Sequence, residues 1–101
     1  MPTLTLPQLV AGRDLASAAV RRLGPITDDE VVVDARPLVS GTASFAGQLV
    51  RSTVLDGGAA RLTLIGGPPD FVDDARSAAV QLGVPDRVAF LAADADLNVA
   101  S

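Results

Sequence analysis

Three short, continuous apolar runs divide the chain. They lie at residues 31–35 (VVVDA), 61–67 (RLTLIGG) and 87–91 (RVAFL). Runs of this length, rich in β-branched residues, are typical of strands that are covered on both faces. Residues 3–6 form a weaker candidate, because Pro7 restricts a strand there to the edge or the end of a sheet. The apolar pattern therefore predicts four strands.

Apolar residues at helical spacing fill the segments between these runs. Residues 13–24 (RDLASAAVRRLG) predict a first helix that Gly24 and Pro25 would end. Its inner side would consist of Leu15, Ala19, Val20 and Leu23. Residues 44–55 predict a second helix, ended by the segment Asp56–Gly57–Gly58. Its inner face would consist of Phe45, Ala46, Leu49, Val50 and Thr53.

The third helical segment, residues 71–83 (FVDDARSAAVQLG), has the clearest amphipathic pattern. Asp70 is a suitable N-cap, Asp73 and Asp74 favour the positive first turn, and Gly83 suits the position after the helix. Its apolar face would consist of Phe71, Val72, Ala75, Ala78, Ala79 and Leu82.

The alternation of strands and helices predicts the fold class. We expect a single α/β domain over residues 1–101, with a mainly parallel four-stranded sheet and helices packed on it, in β-α-β-α-β-α-β order. Residues 92–101 are expected to form a short helix or a frayed tail.

The composition removes most catalytic chemistry. The chain has no Cys, His, Lys, Trp or Tyr, and its 8 cations are all Arg. This excludes disulfides, thiolate and imidazole metal sites, and the commonest general base. We therefore expect no enzyme activity, no cofactor and no metal site. The Arg-only, Ala-, Val- and Asp-rich usage is typical of a high-GC genome, such as that of an actinobacterium or its phage.

Charge and hydropathy set further limits on the partners. A formal net charge of −4 is a poor match for a polyanion, so we expect no binding of nucleic acid. No apolar stretch approaches the roughly 18 residues of a membrane span. The first residues also lack the basic region of a signal peptide. We expect no membrane insertion and a cytoplasmic location.

Three hydroxyl side chains follow the most apolar run, in residues 40–51 (SGTASFAGQLVR). They are Ser40, Thr42 and Ser44. Ser44 is the expected N-cap of the second helix, accepting a hydrogen bond from a backbone N–H in the first turn. A serine nucleophile is excluded, because the flanking glycines do not have the Gly-x-Ser-x-Gly spacing and the chain has no His or Lys to act as base.

Asp34 is the other candidate for chemistry. It ends a strand at the sheet edge where parallel α/β folds bind ligands. It would bind a ligand there or accept hydrogen bonds from loop N–H groups, and we favour the second interpretation. The nearby GGPPD segment at residues 66–70 lacks P-loop spacing and is explained by a turn before a helix.

The segment VVVDARPLVSGTASFAGQLVR resembles the central signature of STAS-like domains, relatives of the anti-sigma factor antagonists. In that family a buried strand ends in Asp, a loop of about ten residues follows, and a helix opens with Phe–Ala and continues to an Arg. Asp34, Phe45–Ala46 and Arg51 match these positions. The flanking segments GRDLASAAVRRL and RLTLIGGPPDFVDDARSAA resemble the family's first helix and its next strand and helix. The resemblance covers roughly residues 12–80.

The resemblance implies a small, non-catalytic, regulatory protein-interaction module. Its partner would bind the loop and the start of the helix over residues 36–51, and would be an anti-sigma-type kinase, another bacterial regulator or, for a phage protein, a host protein. The partner-binding residues would be Arg36, Ser40, Thr42, Ser44, Gln48 and Arg51. Antagonists carry an Asp–Ser–Ser/Thr–Gly block where this chain has Thr42, Ala43, Ser44 and Phe45. Ala43 therefore occupies the position of the usual phosphate acceptor, and Ser44 or Thr42, one residue away on either side, could accept phosphate instead, with Ser44 the residue selected for possible phosphorylation.

Three alternatives remain at this stage. The chain could be a subunit that docks on a transporter ATPase, since STAS domains also have that role. It could bind a small ligand or nucleotide, or act as an enzyme, at the strand edge near Asp34. It could also form a homodimer through an edge strand, at residues 2–6 or 87–91.

Overall fold

A computed structural model describes residues 2–93 of the chain, and within them the predicted alternation of strands and helices is confirmed. The strands are β1 (Thr3–Thr5), β2 (Leu9–Val10), β3 (Glu30–Asp34), β4 (Ser40–Gly41), β5 (Arg61–Ile65) and β6 (Val88–Leu91). The α-helices are α1 (Arg13–Arg21), α2 (Ala43–Val50) and α3 (Pro69–Gln81). A π-helix (Arg51–Asp56) continues α2, and a short 3-10 turn (Pro85–Arg87) precedes β6.

Four strands form the predicted parallel sheet, in the order β1-β3-β5-β6. The register aligns Thr3 with Val32, Val32 with Thr63, and Thr63 with Ala89. Strands that follow one another in the sheet in chain order, with right-handed crossovers, place the connecting helices on one face. The predicted α/β fold class is confirmed.

The core lies between this sheet and a single layer of helices in which α2 packs against both α1 and α3. Val31 and Val33 of β3 and Leu62 and Leu64 of β5 belong to the core cluster with the helices. Val32 and Ile65 alternate with them and lie on the opposite face, outside that cluster. The α-helices of residues 2–93 pack on one face, and Val32 and Ile65 on the other face are also buried, as expected for strands covered on both faces.

The helical faces were predicted well for α2 and α3 and poorly for α1. All five residues of the expected inner face of the second helix are buried, and Phe71, Ala75, Ala78 and Ala79 are buried in α3. In α1 the buried residues are Ala16 and Val20, whereas Leu15 is 45% exposed. The prediction for Leu15 is wrong: α1 packs on α2, and the smaller Ala16 beside it is the residue that is fully buried.

Two helix boundaries also differ from the prediction. Asp70 does not cap α3, because the helix begins one residue earlier, at Pro69, and Asp70 lies in its first turn. Proline is favoured at a first helical position, where its missing N–H would have no partner. The second helix widens into a π-helix at Arg51, where Ser52, Thr53 and Val54 are poor α-helix formers and all three are buried. Gly83 has the expected positive φ after α3.

A small second sheet was not predicted. β2 and β4 pair in parallel, with Leu9 opposite Ser40 and Val10 opposite Gly41. Both strands have two residues, which is too short to give an apolar period. This pair holds the segment before α1 beside the segment before α2. The prediction for residues 92–101 lies outside the described residues from residue 94 onward.

Candidate functional site

Thr42 caps α2, in place of the expected Ser44. Its Oγ1 accepts a hydrogen bond from the Phe45 N–H at 3.2 Å and a second from the Gly12 N–H at 3.2 Å. Gly12 immediately precedes α1, which has no side-chain cap of its own. The single hydroxyl of Thr42 therefore joins the starts of α1 and α2, and Ser44 is left exposed in the first turn of α2.

A groove of about 500 Å³ runs between α2 and α3. Ser44, Gln48 and Arg51 line one wall, so three of the predicted partner-binding residues lie together. Ser44 and Gln48 are one helical turn apart, and Arg51 lies three residues further on. Their arrangement on one helix face follows directly from that spacing.

The opposite wall and one end of the groove come from other elements. Asp74, Ser77 and Gln81 of α3 face α2, and Arg13 at the start of α1 closes the end. The floor is formed by small residues, with Gly47 of α2 close to Ala78 of α3. We name this depression, with its walls and floor, the α2–α3 groove.

Gln48 is held in place by a chain of polar contacts. Its Nε2 donates to the Ser52 Oγ at 2.8 Å, and Ser52 Oγ lies 3.4 Å from the Ser17 Oγ on α1. One N–H of this amide is engaged, so its second N–H and its side-chain oxygen are left for hydrogen bonds in the groove.

A shallower hollow continues from the groove towards the two-stranded sheet. It is lined by residues 11–15 and by Ser44. Leu15 lies in this hollow, which explains how an apolar side chain on α1 is exposed. Beyond it, Leu9 of β2 is 69% exposed and Val39, directly before β4, is 66% exposed. These two are the most exposed large apolar side chains among the described residues.

Ser40 and Arg36 are placed differently from the other predicted residues. Ser40 is exposed in β4, opposite Leu9. Arg36 lines none of the depressions described above and forms an ion pair with Asp34, with 2.8 Å between Arg36 Nη2 and Asp34 Oδ2. The predicted surface therefore divides into a groove with its adjoining sheet and a separate pair at the carboxyl end of β3.

Asp34 uses both of its oxygens within the chain. Oδ1 accepts hydrogen bonds from the Arg36 backbone N–H at 3.0 Å and from Arg36 Nε at 2.9 Å. The side-chain hydrogen bond from Arg36 holds the pKa of Asp34 below its ordinary value of 3.8, and the same contact raises the pKa of Arg36. The favoured interpretation of Asp34 is met by one loop N–H, that of Arg36, and the Arg36 guanidinium supplies the other two hydrogen bonds, which were not predicted.

Residues 2–93 contain neither a cluster of potential metal-ligating side chains nor a membrane-spanning helix. Within that range no three potential metal-ligating side chains lie close together. No helix of the same range is long and apolar enough to cross a membrane.

The sequence did not indicate Arg13 or Leu9 as part of the site, and Val39 lies in the predicted 36–51 segment but was not among its predicted partner-binding residues. Each joins it through tertiary structure, since Arg13 reaches the groove only because α1 and α2 begin side by side. The sequence did contain a weak indication that α2 and α3 lie close together. Gly47 and Ala78 are small residues, and small residues allow two helices to approach closely.

Comparison with known proteins identifies no relative. The chain matches no protein-family model, no curated protein and no solved structure. The resemblance to STAS-like domains therefore rests on the residues that carry it and stays a prediction.

Proposed function

We propose that the chain is a non-catalytic regulatory module that binds a protein partner through the loop and helix over residues 36–51. The contact surface consists of the α2–α3 groove, the hollow beside Ser44 and the exposed side chains of the two-stranded sheet. The STAS-like resemblance favours a bacterial regulator, such as an anti-sigma-type kinase, as the partner.

The exposure of Leu9 and Val39 is the observation that carries this proposal. The two side chains are 69% and 66% exposed and lie on paired neighbouring segments. The pairing is direct, because the Val39 N–H donates to the Gln8 carbonyl at 2.7 Å. Leu9 itself lies opposite Ser40, so the two exposed apolar residues lie on neighbouring segments among polar ones, a combination found at protein interfaces. The pair therefore supports a protein as the partner.

The alternative of a small ligand at the strand edge is not favoured. Such a ligand would have to displace Arg36 from Asp34, whose two oxygens already accept hydrogen bonds. The neighbouring Gly66 lies against Arg36 and Ala93, so the turn is also occupied on that side.

The proposal is tested by affinity purification from the native host with variants of this surface. The double variants Leu9→Ser/Val39→Ser and Gln48→Ala/Arg51→Ala are each expected to lose the partner that the wild-type protein retains. Val80→Ser is the matched control, because Val80 is 62% exposed on α3 but lines none of the depressions. The proposal is wrong if no protein is retained, or if one is retained equally by all four proteins.

Phosphorylation of Ser44 is tested in the same experiment. Ser44 is exposed in the first turn of α2 and shares the groove with Arg13, so a phosphate there would meet a positive helix end and a guanidinium. Intact-protein mass spectrometry of the native chain reports the phosphate. A switch requires that the phosphate is present and that Ser44→Glu changes partner retention. Retention of the partner by both forms, without phosphate, indicates a docking surface that has no switch.

A further inference from the structure

We propose that the α2–α3 groove binds an extended acidic segment of the partner, whose carboxylates pair with Arg13 and Arg51. This inference rests on the proposed function, since it specifies the chemistry of the partner at the same surface. The sequence alone placed Arg51 on the surface but gave no reason to include Arg13.

The charged side chains at the groove favour an acidic ligand. Arg13 and Arg51 are exposed, line the same groove and have no carboxylate partner within residues 2–93. Asp74 is the only carboxylate that lines the groove, and it forms no ion pair among these residues. The groove lining therefore has two positive side chains and one negative one in a chain whose formal net charge is −4, and Asp14 lines the adjoining hollow beside Arg13. Arginine is also the side chain best suited to pair with carboxylates at an interface.

Several other arginines differ from Arg13 and Arg51 in having contacts within the chain. Arg36 and Arg61 pair with carboxylates, Arg76 lies 4.8 Å from the centre of the Phe90 ring, and Arg87 donates to the Ala59 carbonyl. Four of the eight arginine side chains thus have a polar or ring contact within the described residues, and four do not: Arg13, Arg21, Arg22 and Arg51. Arg13 and Arg51 have none in the described residues, and they lie at one depression.

The shape of the groove and the polar side chains along it favour an extended peptide. Gly47 and Ala78 form a floor without bulky side chains, which leaves room for a peptide backbone. Gln48, Ser77 and Gln81 stand along the walls. Their amide and hydroxyl groups suit the alternating N–H and C=O groups of an extended peptide. Gln48 keeps an acceptor oxygen and one N–H donor, because its Nε2 donates only one hydrogen bond, to Ser52.

Selection from a phage library of random 12-residue peptides tests the inference without knowledge of the natural partner. The baits are the wild-type chain, the double variant Arg13→Gln/Arg51→Gln and the control Arg22→Gln. Arg22 follows α1, is exposed and lines none of the described depressions, so its neutralisation changes the net charge without touching the groove. Thermal unfolding of each bait confirms that it is folded before selection.

The expected result is enrichment of Asp- and Glu-rich peptides by the wild type and by Arg22→Gln but not by the double variant. A synthetic copy of an enriched peptide should bind the double variant about tenfold or more weakly than the wild type, as expected when two interface arginines are lost. A copy with Asn and Gln in place of Asp and Glu should show the same loss.

Three results would overturn the inference. They are enrichment of basic or apolar peptides, acidic peptides that bind the double variant equally well, and no enrichment at all. The inference is also wrong if a phosphopeptide binds the groove and the same peptide with carboxylates in place of the phosphates does not. The proposed function is judged separately, because a partner that depends on Leu9 and Val39 supports it whatever charge the groove selects.

Discussion

Thr53 is expected to limit the stability of the protein. It lies in the π-helix with 0% exposure, and its Oγ1 has no hydrogen-bond partner in the part of the chain that the structure describes. A buried hydroxyl without a partner has lost its hydrogen bonds to water and gained none in return. Replacing Thr53 by Val keeps the branched shape and removes this unpaired group, so Thr53→Val should stabilise the fold.

The magnitude follows from the cost of an unpaired buried polar group, which is about 1–3 kcal/mol. Because Val fills nearly the same volume as Thr, no cavity term offsets the gain. We therefore expect the free energy of unfolding to rise by about 1 kcal/mol or more. In a domain of this size that raises Tm by about 4–8 °C.

Urea unfolding followed by circular dichroism measures the effect. Thr5→Val serves as the control, because Thr5 is exposed in β1 and its replacement should change the free energy of unfolding by less than about 0.5 kcal/mol. Thr53→Ala should be less stable than Thr53→Val, since it also leaves a cavity. A fall in the stability of Thr53→Val would refute the reasoning and mean that the hydroxyl has a partner in solution.

Two glycines and one carboxylate give further predictions. A Cβ on Gly41 would lie 2.6 Å from Cδ1 of the buried Phe71, so Gly41→Ala should cost about 1–3 kcal/mol in thermal or urea unfolding. A Cβ on Gly47, inside α2, would have its nearest neighbour 3.9 Å away. Gly47→Ala should therefore stabilise the fold by about 0.5–1 kcal/mol. The reasoning is contradicted if Gly41→Ala and Gly47→Ala change the free energy of unfolding in the same direction. Arg36 holds the pKa of Asp34 below its ordinary value of 3.8. The ionised Asp34 therefore stabilises the fold at pH values above 3.8, and this stabilisation is lost as the pH falls through the lowered pKa. The difference in stability between wild type and Asp34→Asn should therefore narrow from pH 7 towards about pH 2, and an unchanged difference would show that the ion pair does not contribute.

Hydrophobic periodicity was sufficient to predict the four-stranded sheet and two of the three helical faces. It succeeded for α3 because large and small apolar residues alternate with charges at a period close to 3.6. In α1 it was right for Val20 and Leu23 and wrong for Leu15, because Leu15 and Ala16 each begin an i, i+4 pair, with Ala19 and Val20. Size alone favoured Leu15. The choice between the two faces depends on how closely α1 approaches α2, and a single helix sequence does not contain that distance.

The sequence likewise predicted some features of the candidate site and missed others. The positions of Ser44, Gln48 and Arg51 on one helix face follow from their spacing alone. The identity of the cap did not, because Thr42 and Ser44 are both good N-cap residues. The position of the Gly12 N–H beside Thr42 favours Thr42, and this contact exists only once β2 and β4 have paired. The charge of the groove likewise depends on Arg13, thirty or more residues away in the chain.

The order of the strands has a consequence for the way the chain folds. Each strand of the main sheet pairs with the strand that follows it one helix later, in the order β1-β3-β5-β6. Every such pairing closes a loop of only about thirty residues, for which the entropy cost is moderate. Parallel sheets are usually slow to form because their strands must meet across long separations. Here each strand–helix–strand unit can add to the preceding one, so the sheet can grow from any pair of strands outward without waiting for distant parts of the chain.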